Sequence, residues 1–150
     1  MPILRDRPYG RFNFLVDLGT GETDGPDAGF EECGPLVGEM KVIEYRNGNS
    51  KENSPQKITG LIKYDNVALR RGVIGSRPLY DWFDQVRNGD ENAMRTVRIS
   101  LQSEDHSHVV QTWLLSRARP LRYAAGPLNG GASEVALEEL TLAFERLEVD

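Results

Sequence analysis

The stretch 95–105, RTVRISLQSED, alternates apolar and polar side chains one by one. Val97, Ile99 and Leu101 fall to one side, Arg98 and Ser100 to the other. A period of two is that of a half-buried β-strand. The following stretch, HSHVVQTWLLSRARPLRY (106–123), resumes strand character after a polar interval. Residues 95–118 therefore predict a hairpin turning at Glu104–Ser107.

Other segments repeat the signal. In RFNFLVDLG (11–19), Phe12, Phe14, Val16 and Leu18 alternate with Arg11, Asn13 and Asp17. The segment FEECGPLVGEMKVIEYRNG (30–48) predicts one or two strands, and LIKYDNVALRRG (61–72) a short one around Val67 and Leu69. Turn residues cluster at 20–29 (TGETDGPDAG) and at 126–133 (GPLNGGAS). Residues 1–10 predict an irregular N-terminal arm, and 11–150 a single domain.

One segment breaks the pattern. In SRPLYDWFDQVRNG (76–89), Leu79, Trp82, Phe83 and Val86 recur at the spacing of a helix face. Ser76 is a candidate N-cap, Pro78 suits the first turn, Arg87 complements the dipole at the far end, and Asn88-Gly89 is a stop signal. The spacing predicts one amphipathic helix over about 76–88. The tail EVALEELTLAFERLEV (134–149) fits two templates. Ala136, Leu140, Ala143, Phe144 and Leu147 form a helical stripe, favoured by propensity, while Leu140, Leu142 and Phe144 alternate as in a strand.

The segment at 45–60, YRNGNSKENSPQKITG, reads as a long polar loop. Loops of that length in compact domains are usually functional or mobile. Its polar positions are Arg46, Asn47, Asn49, Lys51, Glu52, Asn53, Gln56 and Lys57.

The 150 residues suffice for a core without disulfides or metals. The net charge of −5 argues against a general nucleic-acid binder. The single cysteine, Cys33, excludes an intrachain disulfide. The N-terminal stretch MPILRDRPYGRF has no apolar core of a secretory signal, and no apolar run reaches the ~20 residues of a membrane helix. These features predict a protein assembled in the cytoplasm with no membrane anchor.

Little in the sequence resembles catalytic apparatus. His106 and His108 lie two apart and share a strand face, yet no third metal ligand stands at a defined spacing. Cys33 follows two glutamates, which disfavour a thiolate. The glycines of LRRGVIGS complete neither phosphate-binding pattern. Asp81 and Asp84 are the polar face of the helix, and Trp82 and Phe83 its core face. No catalytic residue, cofactor or metal is expected.

Five ordered stretches together resemble a known family: FNFLVDLG, GFEECGPLVGEMKVIEYRNG, ITGLIKYDNVALRRGVIGSRPLYDWFDQV, RTVRISLQSED and PLRYAAGPLNGGASEVALEELTLAFERLE. They are similar, in order and spacing over residues 9–148, to the tail-tube (inner tube) proteins of contractile phage tails and phage-tail-like contractile injection systems. The resemblance implies a mainly β fold, a β-barrel-like sandwich of the Hcp or tail-tube kind with one helix packed on it. It implies a strand rather than a helix within 134–149. It implies hexameric rings stacked into a hollow tube, with protein or DNA cargo in the lumen. Sheath protein, baseplate hub or spike, and a tail cap or length-regulating protein are the implied partners, and the particle is one that can be released from the cell. On this reading Leu79, Trp82, Phe83 and Val86 plug one end of the sheet, and the polar loop reaches a neighbouring subunit. The alternatives are a first-ring initiator joining spike to tube and, from another class, a small β-barrel ligand-binding or enzymatic domain. A sheath subunit is disfavoured by size. Cys33, where the family more often has a small residue such as serine, and the long insert at 20–29 depart from the family pattern.

Overall fold

A computed structural model describes residues 2–21, 23, 25 and 28–150. The turn cluster expected at 20–29 lies in part outside the described residues. Among these, the strands in chain order are β1 (Phe14–Asp17), β2 (Glu32–Cys33), β3 (Gly38–Tyr45), β4 (Gln56–Tyr64) and β5 (Val67–Gly72). Helix α1 (Pro78–Arg87) and a 3-10 turn (Glu91–Ala93) follow. The remaining strands are β6 (Arg95–Gln102), β7 (Val109–Ala125), β8 (Leu137–Ala143) and β9 (Arg146–Val149).

Seven of the strands form one antiparallel sheet in the order β1-β6-β7-β8-β5-β2, with β9 added beside β7. β7 is the corner of the fold. Its first half pairs with β6 on one side and β9 on the other, from Trp113↔Val149 to Ser116↔Arg146. Its second half, Arg119 to Ala125, pairs with β8. The change of partner falls at Arg117, which adopts φ 54°, and register shifts flank it on both ladders. An extra residue in a left-handed conformation bends a strand, and here it folds the sheet over on itself. Pro120 sits just beyond the bend, where a missing N–H is tolerated. The sheet does not close, because β1 and β2 stand at its two ends.

The two layers enclose one core. Val16, Val97, Ile99 and Leu115 come from one side, Val67, Leu69, Leu140 and Leu142 from the other, all at most 4% exposed. The alternation read at 95–102 is what places Val97 and Ile99 inside. At 11–19 the strand begins only at Phe14, so Val16 and Leu18 turn inward while Phe12, outside the strand, is 68% exposed. The tail is two strands broken at Phe144-Glu145, as the resemblance implied and helical propensity did not. Leu140 and Leu142 alternate into the core because β8 lies between β5 and β7 and has both edges satisfied.

Helix α1 buries Leu79 and Trp82, with Phe83 and Val86 packed partly against the same core. The Trp82 indole N–H donates to the Ala93 carbonyl at 2.6 Å, and the Arg95 guanidinium lies 4.6 Å from its ring centroid. The N-cap is Arg77 rather than Ser76. Pro78 opens the helix, and its absent N–H leaves one fewer donor to cap. The far end stops as expected, with Gly89 at φ 82°.

Among the described residues, β3 and β4 stand apart as a two-stranded sheet joined to no other strand. This corrects the expected polar loop at 45–60. Only residues 46–55 form the loop, while Gln56–Gly60, including Lys57, belong to β4, and Tyr45 ends β3. Period-two Ile58, Gly60 and Ile62 with β-branched Thr59 were the signal for a strand there. Tyr64 fixes the base of the hairpin against Phe144, ring centroids 5.4 Å apart.

Candidate functional site

Three surfaces stand open in the single chain. The first is the β3–β4 hairpin. Its register pairs Met40 with Ile62, Val42 with Thr59, Ile43 with Ile58 and Tyr45 with Gln56. The ladder is irregular between Met40 and Val42, where Gly60 and Leu61 of β4 stand opposite Lys41. Gly60 is required there, since a Cβ would stand 3.0 Å from the Lys41 carbonyl. The charged cross-strand pairs Glu39↔Lys63 and Glu44↔Lys57 lie among them. Met40, Val42, Ile43, Tyr45, Ile58 and Ile62 remain 47–60% exposed, and Leu61 81%. An isolated two-stranded hairpin is marginal in water, and a contiguous exposed apolar surface marks a place of contact with another molecule.

The loop at its tip is shaped from within. The Arg46 side chain donates to the Glu52 carbonyl at 2.9 Å and the Ser50 carbonyl at 3.1 Å, and the Tyr45 hydroxyl meets Asn47 Oδ1 at 2.6 Å. Arg46, Asn47 and Glu52 thus order the loop, while Asn49, Lys51 and Asn53 are exposed on it.

The second surface is the outer face of the β2-β5-β8-β7 layer. Glu32, Arg70, Glu139 and Arg122, one from each strand, form a ladder of alternating charge. Arg70 reaches Glu32 at 3.2 Å and Glu139 at 3.0 Å, and Arg122 reaches Glu139 at 3.5 Å. Hydrogen bonding to Glu139, reinforced by the charge of Glu32, raises the pKa of Arg70. Beneath this ladder lies a buried pair. Arg71 Nε donates to Glu138 Oε1 at 2.7 Å, and the Tyr123 hydroxyl donates to Glu138 Oε2 at 2.7 Å. The Glu138 hydrogen bond, then burial, raise the Tyr123 pKa. Tyr123 in turn meets Tyr80 of α1 edge-on at 5.8 Å, so this cluster seats the helix on the sheet.

The third is a groove of about 720 Å³ at the opening between β1 and β2, lined by Phe12, Phe14, Cys33, Leu36, Leu101 and Trp113. Burial, and then the Glu32 charge, push the Cys33 thiol up to about 11, which makes it a packing group.

His106 and His108 sit in the β6–β7 turn, His106 at φ 62° and 3.4 Å from Gln102 Oε1. Among the described residues no three His, Cys, Asp or Glu side chains converge as a metal site. Asp81 and Asp84 pair along the helix with Arg77 and Arg87. No described helix is long and apolar enough to cross a membrane.

An exposed apolar hairpin, an open sheet and a charge-laddered face are surfaces suited to association. Residues 10–148 match the model of the T4-like virus tail tube protein gp19 family, and the chain belongs to that family. It is a structural inner-tube subunit, a component of phage-tail-like particles. No curated protein matches the chain. Among solved structures it is similar to a chain of the anti-feeding prophage cap (AFP tube terminating cap), with 26% identity and TM-score 0.83. That match covers 100% of this chain and 95% of the other. It is similar to a chain of the PVC sheath–tube complex of an extracellular contractile injection system in the extended state. Identity there is 25% and TM-score 0.83, over 97% and 93% of the two chains. Hcp1 from Flavobacterium johnsoniae shares the fold at 9% identity and TM-score 0.54, over 91% and 93%.

Proposed function

We propose that copies of this chain close into hexameric rings that stack as a hollow tube. The exposed apolar side chains of the β3–β4 hairpin carry the reading. Met40, Ile43, Tyr45, Ile58 and Ile62 are about half exposed among the described residues, and a neighbouring copy supplies the missing cover. A heterologous contact between copies closes as a ring where rotation allows and extends without limit along an axis. The loop bearing Arg46, Asn47, Asn49, Lys51, Glu52 and Asn53 lies at the far end of that hairpin and extends its reach. Leu79, Trp82, Phe83 and Val86 act as the plug that covers the core beside β7.

The tube is a passive conduit. Sheath surrounds it, a baseplate nucleates it and a cap ends it; similarity to chains of a sheath–tube complex, a baseplate and a tube-terminating cap supports this reading. Protein or DNA passes through the lumen, and no step requires catalysis. Assembly takes place in the cytoplasm, before the particle is released.

Negative-stain imaging and mass measurement of the purified chain test the proposal. Rings or hollow rods are expected. A strictly monomeric mass at every concentration overturns it. Replacing residues 47–54 by a two-residue Asn-Gly turn shortens the hairpin and leaves the core untouched. Such a variant should fold with the same melting temperature and assemble poorly. Unimpaired assembly removes the loop from the interface.

A further inference from the structure

The layer formed by β2, β5, β8 and the second half of β7 ends in two unlike edges. On one side β2 pairs with β5 alone. On the other, among the described residues, no strand pairs with Arg119–Ala125 on the side away from β8. The charge ladder across this layer runs Glu32, Arg70, Glu139, Arg122. It begins with an anion on one edge strand and ends with a cation on the other. Both terminal groups are exposed, Glu32 at 60% and Arg122 at 65% of their side chains.

We infer that Arg122 of one copy pairs with Glu32 of the next, so that the ladder continues unbroken from subunit to subunit. The inference rests on the ring reading above and names its lateral contact. Two features favour a second copy, placed head to tail. The layer has four strands of alternating direction, so rotating a copy about a ring axis sets its β2 antiparallel to β7. The antiparallel pattern is then continuous across the junction, and both open edges are satisfied. The charges select this arrangement over its competitors. A two-fold pairing of like edges sets Arg122 against Arg122, or Glu32 against Glu32. Like charges directly opposite one another on neighbouring strands are destabilising. Only the unlike-edge junction places opposite signs together. Unlike edges make a heterologous contact, the kind that generates rings.

Charge reversal tests this. Glu32→Arg alone and Arg122→Glu alone each set like charges across the junction. Each should lower ring formation by about twofold to fivefold per junction, the scale of an exposed ion pair, and by more over a closed ring. The double variant E32R/R122E should restore rings towards the wild-type yield. Within one chain the two positions lie three strand spacings apart, about 14 Å, so rescue reports contact between copies. Circular dichroism melting of each variant monitors the monomer. Wild-type rings with single variants that assemble normally, or a double variant as defective as the singles, overturn this junction and leave the tube reading intact. A wild-type chain that never associates overturns the tube reading, and this junction with it.

Discussion

Replacing Ile43 and Ile58 together by serine separates folding from assembly. The two side chains face each other across the hairpin and are 54% and 47% exposed. Full burial of an isoleucine is worth about 1.5–3 kcal/mol, so covering the exposed half of each contributes about 1 kcal/mol. The double variant should weaken each contact between copies by about 2 kcal/mol, roughly thirtyfold in association. Within the monomer the loss is confined to one exposed cross-strand pair, about 0.2–1 kcal/mol. At about 2–4 °C per kcal/mol for a chain of this size, the melting temperature falls by less than about 4 °C. Sedimentation velocity over a concentration series reads the first quantity, and circular dichroism melting the second. Undiminished association refutes the reasoning. So does a drop in melting temperature above about 10 °C, which shows that this face is covered within the chain.

Three further outcomes follow from the same geometry. Trp82→Ala removes a fully buried indole and its hydrogen bond to Ala93. It should cost about 3–5 kcal/mol in urea unfolding, whereas a helix merely resting on the surface would lose under 1. Glu138→Leu leaves the buried Arg71 without its carboxylate and should cost about 3–5 kcal/mol. Adding Arg71→Met should recover most of that in the same assay. The Arg5 hydrogen bonds, followed by backbone donors that include the Gly10 N–H, hold the Glu104 carboxyl down to about 2, against an ordinary value near 4.5. A depressed carboxylate stabilises the folded form above its ordinary value and loses that contribution as pH falls towards 2. The N-terminal arm should therefore undock across that window, read from the NMR signals of the Tyr9 ring, which Arg5 covers at 3.7 Å. Glu104→Gln should undock it at neutral pH.

The sequence made the core strands legible because their outer faces meet water. Val97 and Ile99 alternate with Arg98 and Ser100, and the period is plain. The tail was ambiguous for the opposite reason. Leu137, Glu138 and Glu139 read as helix formers, yet Glu138 is a buried acid whose partner Arg71 lies 67 residues away, and no local pattern reveals such a pair. The start of β4, Gln56–Gly60, was read as loop because the polar tip, 46–55, dominates the composition, while Ile58 and Ile62 stay about half exposed. Ser76 was misread because Pro78 alters what the helix needs at its start. The charge ladder left no local trace either, since Glu32, Arg70, Arg122 and Glu139 meet only once β8 is inserted between β5 and β7.

The division of labour within the chain explains why these two groups of residues differ in legibility. The core is complete without a neighbour: α1, the Arg71–Glu138–Tyr123 cluster and the folded sheet satisfy one another. The hairpin and the two sheet edges are not. A two-stranded ribbon with exposed apolar side chains gains little by folding alone. Stability of the monomer and strength of assembly are then set by separate residues. A mutation such as Ile43→Ser moves the second with little effect on the first, while Trp82→Ala moves the first and affects the second only through the population of folded subunits. In the proposed tube, this separation lets a subunit remain folded as a monomer while its contacts are left for the growing end.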